Sequence, residues 1–130
     1  MKSVRLLVLE DDLETNENIL RLLKEIENKK EVCFSVSILS DYLEVEEYVN
    51  KIPQIRFDVL LLDRDCFLGG SFHVVNLDYF DKDKVVSISS VPEYNKDAKK
   101  LGVRRSVWKD YKDMKSFREK LRKQLIEIIE

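Results

Sequence analysis

The chain has little that would break or crosslink it. Among its 130 residues there are two cysteines, two prolines, three glycines and one histidine. Cys33 and Cys66 lie far apart and form no CxxC pair, which argues against both a disulfide framework and a zinc site. His73 has no partner at metal-ligand spacing, so a ligand or phosphorelay role is not expected of it. So few glycines and prolines argue against long irregular loops and against a disordered or collagen-like chain. No apolar run approaches the ~20 residues that span a bilayer. The apolar segment near the N-terminus is short and lacks a small-residue cleavage site, so a cytoplasmic protein is expected rather than a secreted one.

What is present suits one hydrophobic core under a charged surface. Apolar residues make up 44% and charged residues 37% of the chain, and the length fits a single domain over residues 1–130. The formal net charge is only −2 but is unevenly spread. Lys96 to Lys123 carries 12 basic and 4 acidic residues, and the remainder 11 basic and 21 acidic. This asymmetry suggests a face suited to an acidic partner. No nucleic-acid motif accompanies the basic stretch, which weighs against nucleic acid as that partner.

The hydrophobic pattern alternates between strand and helix periods. Val4 to Leu9 reads as a strand with an acidic end. Leu13 to Lys29 has Ile19, Leu22, Leu23 and Ile26 at helical spacing, with Asp12 as its cap. Val32 to Ile38 reads as a second strand. Ser40 and Asp41 open a helix to about Lys51, with Tyr42, Val45, Val49 and Ile52 on its apolar face and Pro53 closing it. Phe57 to Leu62 is a near-continuous apolar run ending on Asp63, the pattern of a strand buried on both faces. Ser71 to Phe80 fits either a short helix or an irregular crossover. Val85 to Ser89 is a fourth strand. Pro92 at N1 and Gly102 at C′ bracket a short helix, Val103 to Trp108 is a fifth strand, and Met114 to Ile129 is a last helix. The stripe of that helix runs through Met114, Phe117, Leu121, Leu125 and Ile128, and Ile126 and Ile129 broaden it enough to allow a homodimer. Strands alternating with helices imply an α/β fold, a doubly wound parallel sheet with helices on both faces.

In such a sheet, ligands bind beyond the carboxyl ends of the strands. Glu10-Asp11-Asp12, Asp63, Ser89-Ser90 and Trp108-Lys109 stand at four of those ends. Crowded carboxylates repel, and a proton or cation must relieve them. Hard oxygen donors with room for water suit Mg²⁺. With a phosphoryl group added, Asp63 fits a nucleophile, as carboxylates are in aspartyl-phosphate chemistry. Lys109 and Ser89 fit as partners for the phosphoryl oxygens.

These residues resemble the response-regulator receiver family, over about Val4 to Ile129. L-L-V-L-E-D-D looks like the family's first strand, which implies Glu10 and Asp11 as metal ligands. D-V-L-L-L-D looks like the third, which implies Asp63 as phospho-acceptor. V-V-S-I-S-S and G-V-R-R-S-V-W-K look like the fourth and fifth, which imply Ser89 as the switch hydroxyl and Lys109 as the phosphate-pairing lysine. The resemblance further implies a five-stranded sheet in the flavodoxin-like order 2-1-3-4-5. It implies Mg²⁺ held by Glu10, Asp11, Asp63 and the backbone carbonyl of Asp65. It also implies a sensor histidine kinase as phosphoryl source, and output to a downstream protein through the face of the fourth helix, fifth strand and last helix. Such a protein catalyses only its own phosphorylation and dephosphorylation.

The chain departs from the family at three places. Asp110 stands where a proline usually follows the lysine, so a trans bond is expected there. Ser106 stands where an aromatic switch is common, with Trp108 two residues on along the same strand face. Arg64 to Gly70 replaces the usual proline-glycine loop, and within it the Asp65 side chain borders the phosphoryl site, suited to positioning a hydrolytic water or to plain solvation. Two other readings compete: a phosphorylation-independent pseudo-receiver that only binds, and a haloacid-dehalogenase-like phosphatase with Asp63 as nucleophile and Asp65 as general acid. Against the phosphatase, the acidic cluster precedes Asp63 and a single helix follows Lys109.

Overall fold

The computed structural model describes residues 1–51, 56–64 and 80–130. Five parallel strands form one sheet in the order β2-β1-β3-β4-β5. They are β1 (Lys2–Leu9), β2 (Val32–Leu39), β3 (Val59–Asp63), β4 (Val85–Ser89) and β5 (Arg105–Trp108). The α-helices among the described residues are α1 (Leu13–Lys29), α2 (Tyr42–Glu46), α3 (Pro92–Lys100) and α4 (Met114–Ile129). No described helix is long and apolar enough to cross a membrane.

The strand alternation divides the core. Leu6 and Val8 of β1, Val59 and Leu61 of β3, Val86 and Ile88 of β4 and Val107 of β5 face α1 and α4. There they meet Ile19, Leu22, Leu23 and Ile26 of α1 and Phe117, Leu121 and Leu125 of α4. Ile126 and Ile129, read from the sequence as the basis for a dimer, are partly buried against this same cluster. Leu7, Leu9, Leu60, Leu62 and Val85 point the other way, toward Val45 of α2, Ala98 of α3 and Val103. The central strands β3 and β4 are buried at every residue, which is why β3 reads as an apolar run, while β4 also buries Ser87 and Ser89.

Local chemistry sets the helix ends. The Asp12 side chain accepts from the Thr15 amide at 2.9 Å and caps α1. Asp113 caps α4 in the same way through Ser116. Pro92 opens α3, and Gly102 follows its end at φ +95°, a left-handed conformation that glycine adopts without strain. The second helix differs from its sequence pattern. Its α-helical part stops at Glu46 and continues as a π-helical turn over Glu47–Lys51. The wider turn still leaves Val49 packed on the Val45 cluster. Ile52, Pro53, Asp65, Cys66, His73 and all of the ambiguous stretch Ser71 to Phe80 except Phe80 itself lie outside the described residues. Cys33 is exposed on edge strand β2, and Trp108 ends the opposite edge, β5.

Candidate functional site at the carboxyl edge of the sheet

Parallel register brings the strand ends level. Leu9 pairs with Leu62, Asp63 with Ile88 and Ser89 with Trp108. Glu10, Asp63 and Lys109 therefore emerge together, one step along from these pairs or within them. All three continue the α1/α4 parity of their strands, whereas Ser89 continues the opposite parity, with Val85 and Ser87.

Carboxylate oxygens of Glu10, Asp11 and Asp63 lie within 4.8 Å of one another. Glu10 and Asp63 are buried and Asp11 is half-buried. Lys109 enters from β5, and its ammonium donates to Glu10 Oε1 at 2.8 Å and to Asp63 Oδ1 at 3.0 Å. The Lys109–Asp110 bond is trans. The Lys109 side chain is only 2% exposed, and the two carboxylate side chains it meets are 0% and 1% exposed. Burial alone would lower the Lys109 pKa. The attraction of Asp63 and then Glu10 outweighs it, and the group is held well above the ordinary lysine range. Of the cations that carboxylate crowding demands, one is thus supplied by the chain itself.

The backbone around the centre is fixed by further polar groups. The Lys109 amide donates to the Ser89 carbonyl at 2.7 Å, and the Glu10 amide to the Leu39 carbonyl at 2.9 Å. Buried Asn16 of α1 donates from Nδ2 to the Glu10 carbonyl at 3.1 Å, and the second Glu10 oxygen accepts from the Asp12 amide at 3.1 Å. Ser89 Oγ accepts from the Val91 amide at 3.0 Å, one residue before α3 begins. On the solvent side the ring of Tyr111 covers Lys109, whose Nζ lies 5.8 Å from its centroid. Burial raises the Tyr111 hydroxyl pKa, while Lys109 and a hydrogen bond with Thr15 pull it back.

Every described residue of the sequence-derived set sits at this edge: Glu10, Asp11, Asp63, Ser89 and Lys109. Asp12 caps α1 at the rim. Three neighbours were missed. Asn16 was visible as a polar residue at the head of the apolar stripe Ile19, Leu23 and Ile26. Tyr111 and Arg64 carried no signal beyond standing two residues from Lys109 and one from Asp63.

A groove of about 290 Å³ opens beside the centre between α3 and α4, across β5. Lys96, Lys99 and Lys120 flank it, with Ser106 and Trp108 on its strand side. Trp108 is 44% exposed, and its indole N–H donates to the Ser90 carbonyl at 3.0 Å. Arg104, just before β5, and Arg105, its first residue, form ion pairs with Asp83, and Arg105 reaches Glu127 as well.

The three-carboxylate set fits a divalent cation: its donors are hard oxygens, close together and set beside a half-open rim. The sequence matches no family model, and no curated protein is similar enough to match it. Solved structures do match. The chain is similar to the Mn(2+)-bound form of the response regulator Rcp1, at 19% identity over 95% of this chain and 91% of that one, with a TM-score of 0.70. It is similar to a response regulator receiver domain from Rhodospirillum rubrum, at 16% identity over 98% and 95%, TM-score 0.69. It is also similar to the phosphorylated cyanobacterial phytochrome response regulator RcpA, at 20% identity over 96% and 92%, TM-score 0.66. The chain has the fold of a response-regulator receiver domain, a five-stranded parallel sheet in the order 2-1-3-4-5.

Proposed function

We propose that residues 1–130 form a single phospho-accepting receiver of a two-component system, acting in the cytoplasm. The observation that carries this reading is the meeting of Glu10, Asp11, Asp63 and Lys109 at one strand edge, with the ammonium bridging two buried carboxylates. That the similar structures include a metal-bound and a phosphorylated response regulator agrees with it.

In this reading Asp63 Oδ attacks the phosphorus of a phosphohistidine on a sensor kinase. The O–P bond forms, the N–P bond breaks, and the imidazole leaves with the electron pair and takes up a proton. Glu10, Asp11 and Asp63, with the Asp65 carbonyl, would hold Mg²⁺, which neutralises phosphoryl charge when bound. Lys109 keeps its ammonium at the Asp63 oxygen and moves its second hydrogen bond from Glu10 to a phosphoryl oxygen. Ser89 donates its hydroxyl proton to another phosphoryl oxygen while Oγ still accepts from Val91. Tyr111 shields the Lys109 stem from water. The groove of Lys96, Lys99, Trp108 and Lys120 then presents the output face to a downstream protein. The protein acts on no substrate beyond its own phosphoryl group.

Intact mass after incubation with acetyl phosphate and Mg²⁺ tests the reading. The parent should gain one phosphoryl group, and Asp63→Asn or EDTA should abolish the gain. Full labelling of Asp63→Asn would remove Asp63 from the role, and no labelling of the parent would leave a module that only binds.

A further inference from the structure

Helix α3 is attached to the sheet mainly by polar groups. Of Pro92–Lys100 only Asn95 and Ala98 are buried, so Ala98 is its one buried apolar contact. Asn95 Oδ1 accepts from Ser87 Oγ at 2.7 Å, and its Nδ2 donates to the Val107 carbonyl at 3.3 Å. The residue before the helix is tied to Ser89 through the Val91 amide. A third tie starts at Arg64, the residue directly after Asp63. The Arg64 side chain is 9% exposed, and its guanidinium carbon lies 5.2 Å from the centroid of the Tyr94 ring. One terminal nitrogen stands 3.6 Å from Asp97 Oδ2. Tyr94 and Asp97 are three residues apart on α3 and share a face, so one side chain grips the helix at two points. The Arg64 main chain is itself pinned, its amide donating to the Ile88 carbonyl at 3.0 Å.

We propose that Arg64 is a positioning residue that couples the charge at Asp63 to the placement of α3, through Tyr94 and Asp97. The inference rests on the reading of Asp63 as phospho-acceptor. A guanidinium is a permanent cation, and here it is enclosed, where charge acts over longer reach than in water. Phosphorylation replaces a single negative charge by roughly two on the adjacent residue. The guanidinium is then drawn toward the strand end. Its weaker-held partner is Asp97, whose side chain is 48% exposed and pairs through solvent-screened space. Tyr94 follows the plane of the guanidinium, and α3, with so little apolar surface to hold it, follows Tyr94. Lysine cannot replace this function, because an ammonium lacks the plane that stacks on the ring.

The test is amide hydrogen exchange over residues 92–101 in the full chain, with and without beryllium fluoride and Mg²⁺. Uptake of the mimic is read separately by fluorine NMR. In the free protein, Arg64→Gln and Arg64→Lys should both speed exchange in α3 by roughly threefold to tenfold, the loss of a stacked cation and its ion pair. In the parent the mimic should change α3 exchange. Tyr94→Leu with Asp97→Asn should take up the mimic as the parent does yet lose most of that change. A purely structural Arg64 alters the free protein and leaves the mimic-induced change in the double variant intact, which overturns the inference while Asp63 keeps its role. A parent that takes up no mimic overturns the acceptor reading, and the coupling with it.

Discussion

On one face of the sheet, α1 and α4 bury seven large apolar side chains: Ile19, Leu22, Leu23, Ile26, Phe117, Leu121 and Leu125. On the other, among the described residues, α2 and α3 bury Val45 and Ala98, and the rest of α3 is held by hydrogen bonds and a stacked guanidinium. The two faces carry the same strands, so the difference lies in the helices. Apolar burial is non-directional and large, and it fixes α1 and α4 whatever the charge state nearby. Polar ties are directional and individually small, and a change of charge at their roots can redirect them. This division of labour suits the proposed receiver role, in which a site is held rigid on one side and its state is reported on the other.

The largest expected effect lies on the apolar face. Phe117 is fully buried, and Phe117→Ala should cost about 3–5 kcal/mol in urea unfolding. A loss under about 1 kcal/mol would erase the contrast between the faces.

At the edge between them, Lys109→Met leaves Glu10 and Asp63 side by side without their ammonium, at a cost of about 3–5 kcal/mol. Adding Asp63→Asn should restore part of this, and strict additivity would mean that the charges do not interact. The pH dependence has a definite sign. Because the folded pKa of Lys109 is raised, its stabilisation is complete below the ordinary lysine value of about 10.4 and is lost as pH rises beyond it. The margin of the parent over Lys109→Met should therefore hold below that pH and shrink progressively above it.

On the polar face, Ser87→Ala leaves the Asn95 carboxamide short of its donor and should cost about 1–3 kcal/mol. Its sharper signature is faster amide exchange in α3 with α4 unchanged. Smallest is Asp83→Ala, which releases exposed Arg104, leaves Arg105 its pair with Glu127, and should shift stability by no more than about 1 kcal/mol. A larger loss would make that ion-pair network part of what holds β5.

The apolar face was largely legible in the sequence, because burial leaves a period. The α1 stripe and the α4 stripe repeat at helical spacing, and β3 is apolar up to Asp63 because both its faces are covered. The strand-end residues were legible for a related reason: a charged residue that ends an apolar run in a parallel sheet has one place to be. The polar face left no such mark. Ser87 in a strand and Asn95 in a helix look like ordinary surface choices until the register of β4, α3 and β5 sets them together. Arg64 reads as loop charge for the same reason, and the π-helical turn after Glu46 has no sequence period to announce it. Arg104 and Arg105 read as part of a basic stretch, and their pairing with Asp83 has no period in the sequence to announce it.

Cys33 and Trp108 occupy the two outer strands of the sheet. Four strand spacings separate those edges, about 19 Å at ~4.8 Å each, and the two residues lie further apart than that, because Cys33 is near the amino end of β2 and Trp108 at the carboxyl end of β5. Trp108 is the sole tryptophan, and a dye on Cys33, with Cys66 replaced, makes the pair a molecular ruler. The backbone between its ends is the rigid part of the protein, so energy transfer along it would register the indole's reorientation and little else.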